Sequence, residues 1–315
     1  MDDPDDQHSP DGGPPHDPSA PRATTTTLAA ALGLAAAAEQ AAAVGAQLRA
    51  EAGEVVPHPL IADRLAAVTR AALPALGELD EVDRATVRGV VVAFLRQALD
   101  LFEHPDRPPS WSGDDREVLQ AQGRVSMAIV DALAAFASDV DGLADRLSAP
   151  GAALCDVGTG TGWMAVAACR RWPALRVTGL DIHPPALDLA RGNVASEGLA
   201  GRIEVRDQDV RALTDRDAFD LVWLPGPFLP AEVVPDALRS ARRALRRDGW
   251  VVLGTYGGPD GAAQALLDLR TIRSGGHPWT PERATAVVRM AGFCDVREVP
   301  RTWAAPVRIV VGRRA

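Results

Sequence analysis

Leu154-Cys155-Asp156-Val157-Gly158-Thr159-Gly160-Thr161-Gly162 decides the fold of this chain. A short apolar run is followed by glycine at alternate positions and then by a helical pattern from Trp163 to Trp172. Such a sequence takes a strand into a tight turn. Glycine tolerates the backbone angles the turn demands and lets another molecule approach bare main chain. The helix that follows presents unpaired N–H groups at its N-terminus. The next apolar run, Arg176-Val177-Thr178-Gly179-Leu180-Asp181, closes on a carboxylate. At about 20 residues beyond the glycines, this is where an open α/β sheet holds a nucleotide ribose.

Strand and helix patterns alternate on both sides of this turn. Strands are expected at 152–157, 176–181, 202–207, 219–224 and 249–255, and helices at 162–172, 184–197, 231–246 and 261–272. That alternation implies a doubly wound parallel sheet with helices on both faces. A helix at 280–291 precedes two runs, 294–299 and 305–312, close enough to pair as an antiparallel hairpin.

Two nucleotide-binding patterns fail here. A dinucleotide fingerprint needs a small residue where this chain has Trp163, and a triphosphate loop needs Lys-Ser or Lys-Thr after the glycines. Asp-x-Gly-x-Gly-x-Gly at 156–162 instead resembles the first motif of the class I S-adenosylmethionine-dependent methyltransferases, and the resemblance extends over about 152–312. It implies a seven-stranded α/β sheet ending in an antiparallel hairpin, with S-adenosylmethionine as cofactor and S-adenosylhomocysteine as product. Asp156, Gly158, Thr159, Gly160 and Gly162 would then lay the methionine part of the cofactor on exposed backbone. Asp181 would accept from the ribose hydroxyls, a role compatible with capping the helix at Pro184-Pro185. Ile182 or His183 would flank the adenine. Asp209, followed by Val210, or else Gln208, would accept from its amino group. In many relatives the segment before the glycine motif folds over the cofactor, and Trp111, Gln122 and Arg124 are the candidates for that here.

Ligands of open α/β sheets sit beyond the carboxyl ends of the strands, so Leu224 and Pro225, at the end of the fourth strand, should line the site. Leu224-Pro225-Gly226-Pro227 departs from the Asn/Asp-Pro-Pro-aromatic pattern of enzymes that methylate base amines, for it offers no amide or carboxylate to orient an amine. A hydroxyl or acidic carbon acceptor would need a base. Tyr256, the one tyrosine of the chain, ends the fifth strand; His277 lies in a glycine-flanked loop, and His183 follows the second strand. No residue pattern points to a metal.

The 315 residues carry a net charge of −9, which argues against a nucleic-acid partner. Cys155, Cys169 and Cys294 are odd in number and fall in or beside apolar runs, so a reducing, cytoplasmic setting is expected. Neither a signal peptide nor a membrane span is expected. Residues 1–23, rich in Asp, Pro and Gly, read as a disordered acidic tail. Residues 24–148 read as a helical cap or oligomerisation region, with helices at 27–53, 58–73, 80–103 and 114–147, and 149–315 as the cofactor-binding domain. Arg239, Arg242, Arg243, Arg246 and Arg247 fall on one expected helix as a solvated basic stripe. Two functional classes follow. One is methylation of a small molecule such as a specialised metabolite, with the N-terminal helices as a cap or homodimer surface around the acceptor; a deep closed pocket under Trp111 and the 225–230 loop would mark it, and an open groove the other. The other is a protein-directed methyltransferase, or a non-catalytic cofactor-binding protein whose helices engage a protein.

Overall fold

The computed structural model describes residues 23–110, 115–258 and 261–315. The expected tail at 1–23 lies outside them but for Ala23, and so does Trp111. The described chain divides into two compact units with the boundary at Gly77/Glu78.

In the first unit, α1 (Ala23–Glu51) packs against α2 (Pro59–Ala72). His58 caps α2 by accepting from the Leu60 N–H at 3.3 Å, and Pro59 fills the first turn, where no N–H is needed. By length and composition alone, Thr24–Glu51 is apolar enough to cross a membrane, with a mean hydropathy of 1.4. This departs from the expectation that no segment would qualify. Alanine is the reason: it raises hydropathy along the whole helix while adding little side-chain surface, and Leu28, Leu32 and Leu34 all stay exposed.

The second unit contains α3 (Glu81–Glu103), α4 (Arg116–Ser126), α5 (Ile129–Asp139) and α6 (Leu143–Ser148) before its first strand. The single helix expected over 114–147 is therefore three. The first break falls at Met127-Ala128, after the Ser126 hydroxyl donates back to the Gly123 carbonyl at 2.6 Å. The second falls where Val140 is extended and Gly142 takes φ +74°, a left-handed angle that ends one helix and starts another.

Alternation then runs as the sequence implies: β1 (Ala153–Val157), α7 (Trp163–Arg171), β2 (Arg176–Asp181), α8 (Pro184–Ser196), β3 (Ile203–Asp207), β4 (Phe219–Pro225), α9 (Val234–Ala244), β5 (Leu245–Tyr256), α10 (Ala262–Arg273), α11 (Pro281–Met290), β6 (Cys294–Glu298) and β7 (Val307–Arg313). The sheet order is β3-β2-β1-β4-β5-β7-β6. The first five strands are parallel, and β7 runs antiparallel between β5 and β6.

Every residue of β4 is buried, as befits a central strand covered on both faces. Period-two alternation sorts its side chains into two cores. Leu221 and Trp223 join Leu133 and Phe136 of α5 and Val166 of α7 on one face. Val222 and Leu224 join Leu238 and Ala241 of α9 on the other. Leu224 is thus core, at 0% exposure, instead of lining the site as expected. One charged residue breaks the apolar pattern. Asp220 accepts from Arg146 Nε and Arg246 Nη1, each at 2.6 Å, and from the Ala153 N–H at 2.9 Å.

That hub shortens the expected basic stripe, whose Arg239, Arg242 and Arg243 lie exposed on α9 (Val234–Ala244). The helix ends at Ala244, and Arg246 and Arg247 lie in β5. Arg242 donates to the Gly292 carbonyl at 3.0 Å and Arg243 to Ser240 Oγ at 3.0 Å. Arg247 is exposed as well, and only Arg246 turns in, to Asp220.

Candidate active site

The turn after β1 is built as its glycines require. Gly158, Gly160 and Gly162 have φ of +65°, +56° and +80°, angles that cost an L-residue about 1–2 kcal/mol. Space constrains them unequally. A Cβ on Gly158 would stand 2.9 Å from Pro225 Cγ, and one on Gly162 3.3 Å from Ala190 Cβ. Above Gly160 the nearest atom is the Gly158 carbonyl at 4.0 Å. The turn is closed at both ends and open in the middle.

Asp181 organises the opening. Its Oδ2 accepts from the Gly160 N–H at 2.7 Å, and its Oδ1 accepts from the N–H groups of Ile182 and His183 at 2.8 and 3.0 Å. The turn is also pinned from below by the Thr159 N–H, which donates to the Leu180 carbonyl at 2.9 Å. Asp156 is fully buried beneath it and accepts from the Thr159 hydroxyl at 2.7 Å. Burial pushes the Asp156 carboxyl up to about 7; the Thr159 hydroxyl opposes that rise and the charge of Asp181 adds to it.

The wall before the glycines comes from α4. Trp163 donates from its indole N–H to Gln120 Oε1 at 2.6 Å, and Arg124 lays its guanidinium 4.3 Å from the centre of the same ring. Asn193 ties this corner to the turn by donating to Gln120 Oε1 and to the Thr161 carbonyl. Trp163 is buried in the core and comes within 4 Å of neither Cβ position at Gly158 or Gly160. Two buried oxygens, Gln122 Oε1 on α4 and Thr161 Oγ1 in the turn, have no hydrogen-bond partner among the described residues. Unpaired buried acceptors are costly, so a ligand donor is the natural complement.

On the far side, Asp209 turns both oxygens to Arg211, accepting from its N–H, Nε and Nη2, and that hydrogen bonding holds its carboxyl below the usual range. Gln208 donates from Nε2 to the Ala212 carbonyl at 3.0 Å. Val210 is buried, and Ile182 is 66% exposed.

Beyond Pro225 lies a cavity of about 480 Å³, within the range of small-molecule sites. It does not include the glycine turn itself; the two meet at Pro225, which packs on Gly158 and lines the cavity. Gln122 of α4 also reaches it. Apolar walls come from Phe94 and Leu101 of α3, Trp223 of β4 and Phe228. Of the three expected catalytic residues only Tyr256 lines it. Its ring meets Phe228 edge-on at 6.3 Å, and burial pushes its hydroxyl up to about 12, against the pull of the Arg270 charge. His277 packs edge-on against Trp279 at 5.0 Å, and His183 opens α8; neither lines the cavity. Arg270 and Arg273 of α10 do line it. The sequence gives no sign of them, because they sit in an ordinary helix about a hundred residues from the glycines and only the fold brings them here.

Among the described residues no group of three or more His, Cys, Asp or Glu is arranged to hold a metal. All three cysteines are free, and burial pushes the thiols of Cys155 and Cys169 up.

A family model described as a methyltransferase domain matches residues 154–249. A tRNA1(Val) (adenine(37)-N6)-methyltransferase of Porphyromonas gingivalis is 34% identical over 94 residues, covering 28% of this chain and 37% of that protein. A release factor glutamine methyltransferase of Caulobacter vibrioides is 31% identical over 169 residues, 50% of this chain and 56% of that protein. The chain thus spans about a third to about half the length of these curated relatives. In fold it is similar to the mitomycin 7-O-methyltransferase MmcR, with a TM-score of 0.61 at 19% identity over 93% of this chain and 99% of that one. The strand order, the glycine turn and these likenesses agree: residues 154–249 form a methyltransferase domain, in a chain with the class I S-adenosylmethionine-dependent methyltransferase fold.

Proposed function

We propose that this chain catalyses methyl transfer from S-adenosylmethionine to a small-molecule acceptor held in the cavity beyond Pro225. The observation that carries the reading is the junction at Pro225 between an open glycine turn and a half-open, mostly apolar cavity. The residues present fit the cofactor. Space over Gly160 admits a chain against backbone, and the unpartnered oxygens of Gln122 and Thr161 suit the amino end of its methionine part. Asp181 retains acceptor capacity for ribose hydroxyls, since three donors occupy two oxygens that offer about four sites. Ile182 supplies an exposed apolar face for adenine. With Asp209 committed to Arg211, Gln208 Oε1 is the better acceptor for the adenine amino group. Arg124 keeps guanidinium edges for the methionine carboxylate while its face rests on Trp163.

When bound, the sulfonium supplies an electrophilic methyl group and leaves as a neutral thioether, S-adenosylhomocysteine. The protein's task is alignment: holding a nucleophile in line contributes up to roughly 7–11 kcal/mol in well-oriented systems. Trp223, Pro225 and Phe228 give the acceptor apolar contact. Tyr256 is protonated at neutral pH and so acts as a hydrogen-bond donor to the acceptor, not as its base.

A macromolecular acceptor is the second reading, favoured by the names of the curated relatives. Against it stands the absence of an amide or carboxylate in Leu224-Pro225-Gly226-Pro227. The cytoplasmic setting and a homodimer through the N-terminal helices belong to the same proposal. Its test has two arms. S-adenosylhomocysteine should raise the melting temperature where NAD does not, and a labelled methyl group should pass to members of a metabolite panel but not to tRNA or release factor. Labelling of either macromolecule alone would overturn the small-molecule assignment.

A further inference from the structure

The sign of charge inside the cavity is opposite to that of the chain. Against a net charge of −9, the cavity wall carries four arginines and one aspartate as its charged groups. Arg96 is neutralised outside the wall by Asp115 and Glu117, at 2.8 and 2.7 Å. Arg107 and Arg273 share the single carboxylate of Asp100, at 3.1 and 2.5 Å. Arg270 has no carboxylate partner among the described residues; its guanidinium lies 4.8 Å from the centre of the Phe94 ring. Two positive charges are therefore left over on a wall otherwise built from Phe94, Leu101, Trp223 and Phe228.

A second observation points to the ligand. Arg273 Nη1 is buried and has no hydrogen-bond partner among the described residues, while Nη2 of the same group is bound to Asp100. An unpaired guanidinium N–H in an apolar wall is costly unless something anionic meets it. A planar donor fork matches the paired oxygens of a carboxylate.

We infer that the cavity selects a mostly apolar acceptor bearing an ionised carboxylate, which Arg273 and Arg270 hold while the nucleophile faces Pro225. The inference rests on the methyl-transfer reading and names the substrate class of that site. It also fits a cavity whose one tyrosine stays protonated: the wall offers a hydrogen-bond donor and cations, a set suited to an acidic molecule.

The test is calorimetric, in the presence of saturating S-adenosylhomocysteine. Aryl carboxylates of one to three rings, among them 3-hydroxy-2-naphthoate, are compared with their primary amides, which match them in shape and lack the charge. At least one acid should bind tenfold or more tightly than its amide. R270Q and R273Q should each cut that preference several-fold while leaving S-adenosylhomocysteine affinity unchanged. R270Q is the safer variant, since it leaves the Arg107–Asp100–Arg273 cluster intact. Equal binding of acid and amide across the panel, no binding by any acid, or an acid preference untouched by R270Q and R273Q would each overturn the inference. If S-adenosylhomocysteine itself fails to bind, the methyl-transfer reading falls instead, and the two failures are told apart.

Discussion

The Gly160 N–H donates to Asp181 Oδ2 at 2.7 Å, joining the turn after β1 to the carboxylate that ends β2. The same side chain accepts from Ile182 and His183. One carboxylate thereby fixes the shape of the cradle and presents itself to whatever lies in it.

Replacing that carboxylate should therefore act twice. D181A removes the acceptor of three backbone N–H groups, and a loss of about 1–3 kcal/mol in urea unfolding is expected. Most of the melting-temperature gain from S-adenosylhomocysteine should vanish with it. D181N, which keeps one accepting oxygen, should lose less stability than D181A. A D181A protein with an undiminished ligand shift would remove Asp181 from the ribose role.

The two glycines differ in a measurable way. G160A meets open space, so its cost should be the backbone angle alone, about 1–2 kcal/mol. G158A adds a clash with the Pro225 ring and should be the less stable of the pair. For S-adenosylhomocysteine affinity the damage from G160A should exceed its stability cost, because its new methyl points into the cradle. Titration calorimetry and urea curves on both variants check the two expectations.

Asp156 makes a pH-dependent contribution whose sign is fixed by its burial. Its carboxyl stands at about 7 folded against 3.8 as the reference. The folded state thus binds the proton more tightly, and the stability this gives is complete below pH 4 and lost as pH rises through about 7. D156N has no such proton. The stability of D156N relative to the natural chain should rise across that window, by no more than about 4 kcal/mol, and level off above it. A flat difference between pH 4 and 8 would show that Asp156 ionises normally.

Tyr256 gives a prediction about rate. Because its hydroxyl is pushed up to about 12, it carries a proton throughout the working range. Y256F should lower turnover by several-fold at most and leave the shape of the pH–rate profile between pH 6 and 9 unchanged. Loss of an ascending limb in Y256F would identify it as the base after all.

Asp220 tests the frame apart from the site. D220A leaves the Ala153 N–H without its acceptor and takes the shared carboxylate from the partly exposed Arg146 and Arg246, a loss of about 1–3 kcal/mol. Thermal denaturation should show the loss, and whatever folds should still gain stability from S-adenosylhomocysteine.

Much of the fold was legible because its signals are local. Alternating strands and helices, glycines at 158, 160 and 162 and the carboxylate at 181 all lie within short windows, where periodicity and backbone freedom act. The helix expected over 114–147 failed for the opposite reason. Helical propensity persists through Met127 and Val140, and what interrupts it is packing against α7 and the sheet, together with the left-handed angle at Gly142. Leu224 was misplaced because a strand end exposes alternate faces. Only the register of β4 decides that Pro225 faces the cavity while Leu224 enters the core.

The sequence by itself determined the doubly wound sheet, the glycine turn and the carboxylate beside it, since each depends on what a few neighbouring residues can do with their own backbone. The tertiary structure alone decided the cavity and its charge. Arg270 and Arg273 come from α10, Asp100 and Phe94 from α3, and Tyr256 from the end of β5. Residues so far apart acquire a common chemistry only when folding has brought them to one wall and removed the water between them.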